Sequence, residues 1–360
     1  MTKINHNINR SIDFGYQHYS QLEHSAQTKN NLQVARVVAE HKGAYQIINT
    51  TGEYFAKITG KRIFNAQSRE DYPAVGDWVS FSDAGDSKAV INQVLPRISM
   101  IKRKASGNND IQIIATNIDV AFLVTSIDQD FSLNRIERYL AIVSDGGAKP
   151  AIIINKIDLA PESELELKIN QIKDRFNDID LIQTSNYLGN GLDELKNYLI
   201  KGRTYCFLGS SGVGKSSLIN KLIGKEVIDT QGIDTRTGRG RHTTTGRDMY
   251  FLDSGAIVID NPGMREVGLT NSSVSVDNVF DQIISLSKQC KYADCTHTQE
   301  PGCNVLDAVK LGSLEESKYH NFISLKKESE YYELSELEKK QKDHRFGKFI
   351  KNAKEQIQNL

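Results

Sequence analysis

The 360-residue sequence carries no net charge, because 45 Lys and Arg balance 45 Asp and Glu. Bulk electrostatics therefore selects no partner, and any nucleic-acid surface has to come from local clusters. No stretch approaches the length of apolar residues that a membrane span needs, and the polar start Met1-Thr2-Lys3-Ile4-Asn5-His6 lacks a signal peptide's apolar core. The expectation is a cytoplasmic protein without membrane contact. Cysteine is scarce, with four in the chain. Cys206 falls in an apolar run and reads as a small buried hydrophobe, while the other three cluster late, which points to a metal and not to a disulfide framework. Residues 1–31 lack apolar periodicity, are rich in Asn, Gln, Ser and His, and read as a mobile arm. The length leaves room for two or three domains.

Against this background one loop stands out. Gly209-Ser210-Ser211-Gly212-Val213-Gly214-Lys215-Ser216-Ser217 follows the apolar strand Tyr205-Cys206-Phe207-Leu208 and opens a helical stretch at Leu218. It reads as a P-loop: the glycines let backbone N–H groups turn inward around a phosphate, Lys215 brings a point charge to the outer phosphates, and the Ser216 hydroxyl can bind Mg²⁺. The helix N-terminus behind it adds partial positive charge.

A second motif names the base. Asn155-Lys156-Ile157-Asp158 follows the apolar strand Ala151-Ile152-Ile153-Ile154. In this N-K-x-D pattern the Asp158 carboxylate accepts from N1 and the exocyclic amine of guanine. Adenine offers neither donor, so the carboxylate would be left unpaired, which argues against an ATP-using kinase.

Along the chain, 34–103 holds short alternating runs separated at Gly43, Gly52, Gly60 and Gly85, the pattern of a small β-barrel. Lys57, Lys61 and Arg62 near Tyr54 and Phe55 suit RNA phosphates and stacked bases, or simply a solvated barrel face with core aromatics. Residues 97–110, with Arg97, Lys102, Arg103 and Lys104, read as a basic linker. Alternating strands and helices then predict a parallel α/β sheet. The Gly-, Arg- and Thr-rich run 232–245 reads as a switch loop that orders around a γ-phosphate and Mg²⁺, with Thr243 or Thr244 as a metal contact, or as a basic loop gripping RNA. Asp260-Asn261-Pro262-Gly263 fits D-x-P-G, in which Asp260 reaches Mg²⁺ through water and the Gly263 N–H senses the γ-phosphate. Cys290, Cys295, His297 and Cys303 supply three thiolates and an imidazole within fourteen residues, the donor set of one structural Zn²⁺. A helical remainder ends in a basic stretch, 339–351, interleaved with Phe346 and Phe349.

The order of these motifs is itself informative, because the base-recognition motif precedes the P-loop, the reverse of ordinary GTPases. A site built from loops at one edge of a parallel sheet tolerates such a circular permutation. In this order, with the motifs above, the chain from about Val34 onward resembles the ribosome small-subunit-dependent GTPase A family (RsgA, also called YjeQ). After the arm (1–31), which lies outside the resemblance, the resemblance implies a multidomain fold: an N-terminal all-β OB-fold barrel (32–104), a central circularly permuted α/β P-loop GTPase domain (111–270) and a C-terminal α-helical zinc-binding domain (271–360). It implies that Thr184-Ser185-Asn186 makes a second guanine contact through backbone N–H groups, although Asn186 replaces the usual alanine. Met264 stands where Ras-like enzymes place a water-orienting glutamine, and the resemblance implies that His242 takes over that role. The implied partners are GTP/GDP and the small ribosomal subunit with its rRNA, the implied activity is GTP hydrolysis stimulated by that subunit, and the expected state is a monomer. The rival reading is an RNA-binding module with a structural, slowly turned-over guanine nucleotide.

Overall fold

The structure is a computed structural model and describes residues 14–22, 33–41, 43–104, 111–128, 130–228, 248–260 and 273–333. The chain divides into two compact units, Met1–Gly268 and Leu269–Leu360.

In the first unit a helix, α1 (Tyr16–Leu22), precedes β1 (Gln33–His41), β2 (Ala44–Asn49), β3 (Gly52–Ile58), the short α2 (Gly60–Asn65), β4 (Trp78–Gly85) and β5 (Lys88–Val94). Pairing runs β1-β2-β3-β5-β4 and closes from β4 back to β1, antiparallel throughout except for the parallel pair β3 and β5. The strands thus form a five-stranded barrel. Its core takes alternate residues from each strand, among them Val37, Tyr45, Ile47, Ala56, Phe81 and Ile91, as the period-two geometry of a strand requires.

Two readings of the sequence need correction here. Within the segment read as a mobile arm, Phe14 and Tyr19 are buried and α1 is packed; the order comes from partners far away in the chain, which no local periodicity announces. Part of the basic linker is a strand: β6 (Met100–Lys104) pairs antiparallel with β7 (Ile111–Thr116), and Ile101, Ile113 and Ile114 are buried. Three of the linker's basic side chains are engaged within the protein. Arg97 donates to both oxygens of buried Asp77 at 2.8 and 2.7 Å and to the carbonyls of Glu70 and Tyr72, Lys102 pairs with Glu70, and Arg103 donates to Gln112.

The α/β part comprises β8 (Val120–Ser126), α3 (Leu133–Gly146), β9 (Lys149–Asn155), α4 (Glu162–Arg175), β10 (Leu181–Gln183), α5 (Leu192–Tyr198), β11 (Thr204–Leu208), α6 (Lys215–Ile223), β12 (Asp248–Phe251) and β13 (Ile257–Asp260). Its strand order is β10-β9-β8-β11-β13-β12, parallel except for β12, and one antiparallel bridge, Ala39 to Asp248, continues the sheet into the barrel. Every residue of β8 and β11 is buried, as expected for central strands of a parallel sheet covered on both faces. Helix α3 starts at Ser132, whose hydroxyl accepts from Arg135 N, and stops at Gly147 in the left-handed region. A buried Glu137 on α3 receives Arg175 of α4 at 2.7 and 2.8 Å.

The second unit holds α7 (Ser273–Val279), α8 (Asp281–Ser287), α9 (Asn304–Lys310) and α10 (Glu316–Glu333). Helices α7 and α8 are separated at Phe280, which is buried against Phe322 with ring centroids 5.4 Å apart. The basic stretch 339–351 lies outside the described residues.

Candidate guanine-nucleotide site

The loops at the carboxyl ends of β8, β9, β10 and β11 meet at one edge of the sheet, the edge at which β13 ends. Strand β11 ends at Leu208, and Gly209 runs so close to β8 that a Cβ there would stand 2.3 Å from Val124 O. The loop then enters α6 through Gly214, in the left-handed region at φ 97°. Gly209 to Gly214 form the turn, Val213 is fully buried, and Ser216 and Ser217 follow in the first helical turn with Lys215.

Lys215 is buried at 5% exposure, and its Nζ donates to Gly209 O and Ser210 O, each at 2.7 Å. Burial pulls its pKa down to about 8, while the charges of Asp260 and Asp130 work in the opposite direction. A bound polyphosphate adds negative charge beside the ammonium and raises that pKa again. Binding is therefore expected to take up protons near pH 8, and GTP affinity should fall as pH rises above about 8. Calorimetry at pH 8 in buffers of different ionisation enthalpy checks this; no dependence of the observed enthalpy on buffer would contradict it.

The base-recognition motif lies directly against the P-loop. Asn155 is fully buried at the end of β9; its Nδ2 donates to Val213 O at 2.8 Å, and its Oδ1 accepts from Thr184 Oγ1 at 3.0 Å. The same Nδ2 would be 2.3 Å from a Cβ on Gly214, so the contact requires glycine there. Lys156 sits in the left-handed region at φ 59° and its ammonium pairs with Asp128 at 2.9 Å. Asp128 also accepts from Ser126 Oγ and Asp130 N; despite burial these bonds hold its carboxyl below the usual range. Ile157 and Asp158 follow in a single 3-10 turn.

The second loop leaves β10. Thr184 N donates to Ile154 O at 2.9 Å, and Ser185 Oγ donates to Asp158 Oδ1 while accepting from Leu188 N. The carboxylate expected to meet the base is thus oriented by the second loop. Asn186 reaches the P-loop with its side chain, Nδ2 lying 3.4 Å from Gly214 O, and its Oδ1 is buried without a hydrogen-bond partner among the described residues. An alanine could not make that contact.

Asp260 closes β13 beside β11 and is buried. His242, Thr243, Thr244 and Gly263 lie outside the described residues. Asp130 and Tyr139 were not singled out in the sequence, yet Asp130 acts on the charge of Lys215 and Tyr139 of α3 hydrogen-bonds the Ser210 side chain. Their position beside the P-loop follows from β8 lying next to β11 and carries no motif of its own.

In the second unit Cys290, Cys295, His297 and Cys303 bring their ligand atoms within 4.8 Å of one another. Cys290 Sγ and Cys303 Sγ are 3.9 Å apart and lie 3.6 and 3.4 Å from His297 Nδ1. A tetrahedral Zn²⁺ bound to these atoms sets ligand separations of about 3.5–3.8 Å, so the cluster fits that ion. Desolvation lowers the His297 pKa, favouring the neutral imidazole that a metal needs. Glu300 orders the knuckle, accepting from the N–H groups of Thr296, Thr298 and Gln299, and buried Tyr319 donates to His297 O at 2.8 Å.

A family model described as RsgA GTPase matches residues 94–270. Small ribosomal subunit biogenesis GTPase RsgA 2 of Lactiplantibacillus plantarum is 42% identical over 323 residues, 89% of this chain and 91% of that protein. The chain belongs to the RsgA GTPase family. RsgA 1 of Bacteroides thetaiotaomicron is 36% identical over 90% of this chain and 91% of its own. The crystal structure of YjeQ from Thermotoga maritima superposes with a TM-score of 0.61 at 26% identity, covering 82% of this chain and 98% of that one. Another neighbour, YloQ, described as a circularly permuted GTPase, has a TM-score of 0.56 at 21% identity and shares the fold. The permutation read from motif order is therefore a property of this RsgA-family chain's fold, and its parallel sheet explains why: β9 and β11 lie on either side of β8, so Asn155 reaches Val213 whichever strand comes first.

Proposed function

We infer that this chain is a GTP hydrolase that acts in maturation of the small ribosomal subunit and is stimulated by it. The observation that carries this reading is the bond from Asn155 Nδ2 to Val213 O, which joins a guanine-selective loop to a phosphate loop so that one nucleotide spans both. Asp158 accepts from the guanine edge, and Ser185 and Asn186 offer backbone N–H groups to the same base. Lys215 and the N–H groups of 209–217 hold the phosphates. Ser216, Asp260 and one of Thr243 and Thr244 would hold Mg²⁺, which when bound neutralises charge developing on the phosphate oxygens. The Gly263 N–H reads the γ-phosphate, and His242 orients or deprotonates the attacking water.

His242→Ala is expected to lower turnover by about 100-fold while GTP affinity stays within about twofold, since general-base help acts mainly in the transition state. Single-turnover hydrolysis beside a nucleotide titration reads both; equal losses would make His242 a loop-ordering residue.

Residues 32–104 serve as an OB-fold module, whose β3 presents Phe55 and Lys57 outward while Tyr54 packs against Phe81 in the core. Residues 271–360 form a zinc-binding helical domain in which Cys290, Cys295, His297 and Cys303 hold one structural ion. Purified protein should contain about one zinc per chain. In Cys295→Ser, metal content should fall and the second unit should melt first, as followed by metal analysis and thermal unfolding; full-length protein without zinc and with unchanged melting would contradict the assignment.

GTP hydrolysis measured with and without purified small subunits tests the function. Turnover should rise on adding them and fall back at high salt, because phosphate contacts release counterions. Unstimulated hydrolysis with no preference for small over large subunits would remove the ribosomal assignment. Tight guanine-nucleotide binding with negligible turnover under either condition would favour the RNA-binding module with a structural nucleotide.

A further inference from the structure

Helix α1 is wedged where the barrel meets the first residue of the P-loop strand. Gly15 enters it in the left-handed region at φ 86°, so close to both parts that a Cβ would stand 2.7 Å from Gly202 O of the α/β part and 3.1 Å from Arg36 Nη1 of the barrel. Phe14 packs edge-on against Phe251 of β12 at 5.1 Å, Tyr16 and Tyr19 pack on Trp78 at 4.9 and 5.6 Å, and Tyr19 Oη donates to Pro96 O at 2.8 Å.

Two chains of hydrogen bonds run from this helix and converge on Thr204. In one, Phe14 O accepts from Arg36 Nη1 and Arg36 Nη2 donates to Thr204 Oγ1, both at 2.8 Å. Arg36 belongs to β1, is 1% exposed and lies over the Trp78 ring at 5.2 Å. In the other, His18 Nε2 lies 2.5 Å from Asp119 Oδ1, and Asp119 Oδ2 accepts from Thr204 N at 2.7 Å. Asp119 N in turn donates to Thr204 O at 2.9 Å. Thr204 opens β11, and five residues later the P-loop begins at Gly209. A cavity of about 20 Å³, room for one water, lies among Gly15, His18, Arg36, Trp78, Asn117 and Thr204.

We propose that α1 is a positioning element for nucleotide binding, coupling the barrel to the P-loop through Arg36, Asp119 and Thr204. The proposal rests on the nucleotide reading above. A five-residue extended strand transmits an axial shift along its length without absorbing it. When phosphates draw on the loop at one end of β11, the three bonds at Thr204 register the shift, and α1 either follows or loses partners. Reciprocally, anything that lifts α1 or moves the barrel changes the nucleotide affinity by the same factor. The ordinary alternative, a helix that only covers apolar surface, would not need both backbone groups and the hydroxyl of Thr204 tied to residues that also bond α1 or Phe14 just before it.

The chain provides its own reporter, because Trp78 is its single tryptophan. Its emission is recorded for the full-length protein free, with GDP and with a non-hydrolysable GTP analogue, each with Mg²⁺, alongside calorimetry on the same samples. The expected result is three distinguishable emission states that saturate with the calorimetric affinities. His18→Ala and Gly15→Ala should shift free-protein emission to the red and speed GDP release by roughly fivefold. If Gly15→Ala does not fold, Tyr19→Phe, which removes only the hydroxyl to Pro96 O, should still speed release. Identical emission in all three states while calorimetry registers binding would overturn the proposal, as would variants with lowered melting temperature and unchanged GDP release. Absence of calorimetric binding by the wild-type chain would instead remove the nucleotide reading, and this proposal with it.

Discussion

Lys215→Ala is expected to raise the Kd for GTP by at least about 100-fold, the scale of removing one partner from a buried charge pair. The ammonium is already desolvated, with its protons on Gly209 O and Ser210 O. Phosphate oxygens can take over those protons without any further loss of hydration of the lysine, so nearly the whole charge interaction appears as binding. The same burial predicts what will not happen. A lysine whose pKa is drawn down to about 8 is held in its charged form at a cost to the folded chain, so removing it should change thermal stability by only a few degrees. The carbonyls it leaves are free to accept from water. A titration of fluorescent GTP analogue and a melting curve on one preparation separate the two effects. Undiminished affinity would remove the P-loop assignment, and lost affinity with a collapsed melting curve would make Lys215 a folding residue.

The motifs that were legible in the sequence share one property: each performs its chemistry within a few consecutive residues. A loop proposed to wrap a phosphate, a turn proposed to present Asp158 to a base edge, and four candidate metal ligands within fourteen residues need only local geometry to be recognised. The parallel α/β pattern was legible for a similar reason, since fully apolar strands such as 151–154 and 205–208 are themselves the sign of burial on both faces. What was not legible depends on partners distant in the chain. Phe14 is held by Arg36 and Phe251, and Arg36 by Thr204, 168 residues away. The residues of 97–110 read as a basic linker in sequence, yet Arg97 and Lys102 are matched by Asp77 and Glu70, which only barrel closure brings near. Asn186 is an intermediate case. Its departure from alanine was visible, but the reason, an amide reaching Gly214 O, required knowing that the loops after β10 and β11 meet.

On the proposed reading Asp158 selects the base, and its replacement should invert a preference instead of only weakening it. In Asp158→Asn the carboxamide keeps one acceptor and gains a donor. Ser185 Oγ, which donates to Asp158 Oδ1 and accepts from Leu188 N, constrains the substituted group to present its oxygen toward the hydroxyl and its NH₂ toward the base. Guanine then meets donor against donor at its exocyclic amine, a buried mismatch that such sites reject by about 10³-fold or more. Xanthine carries a carbonyl at that carbon and accepts from the new NH₂. The variant should therefore bind and hydrolyse XTP at least about tenfold better than GTP, with the P-loop contacts and melting temperature unchanged. Competition of XTP and GTP against one labelled nucleotide measures the inversion directly. Unchanged guanine preference would show that Asp158 does not meet the base. Loss of both nucleotides together with lower thermal stability would assign the carboxylate to holding Ser185 and its loop, and guanine selection would then have to come from the backbone of Ser185 and Asn186.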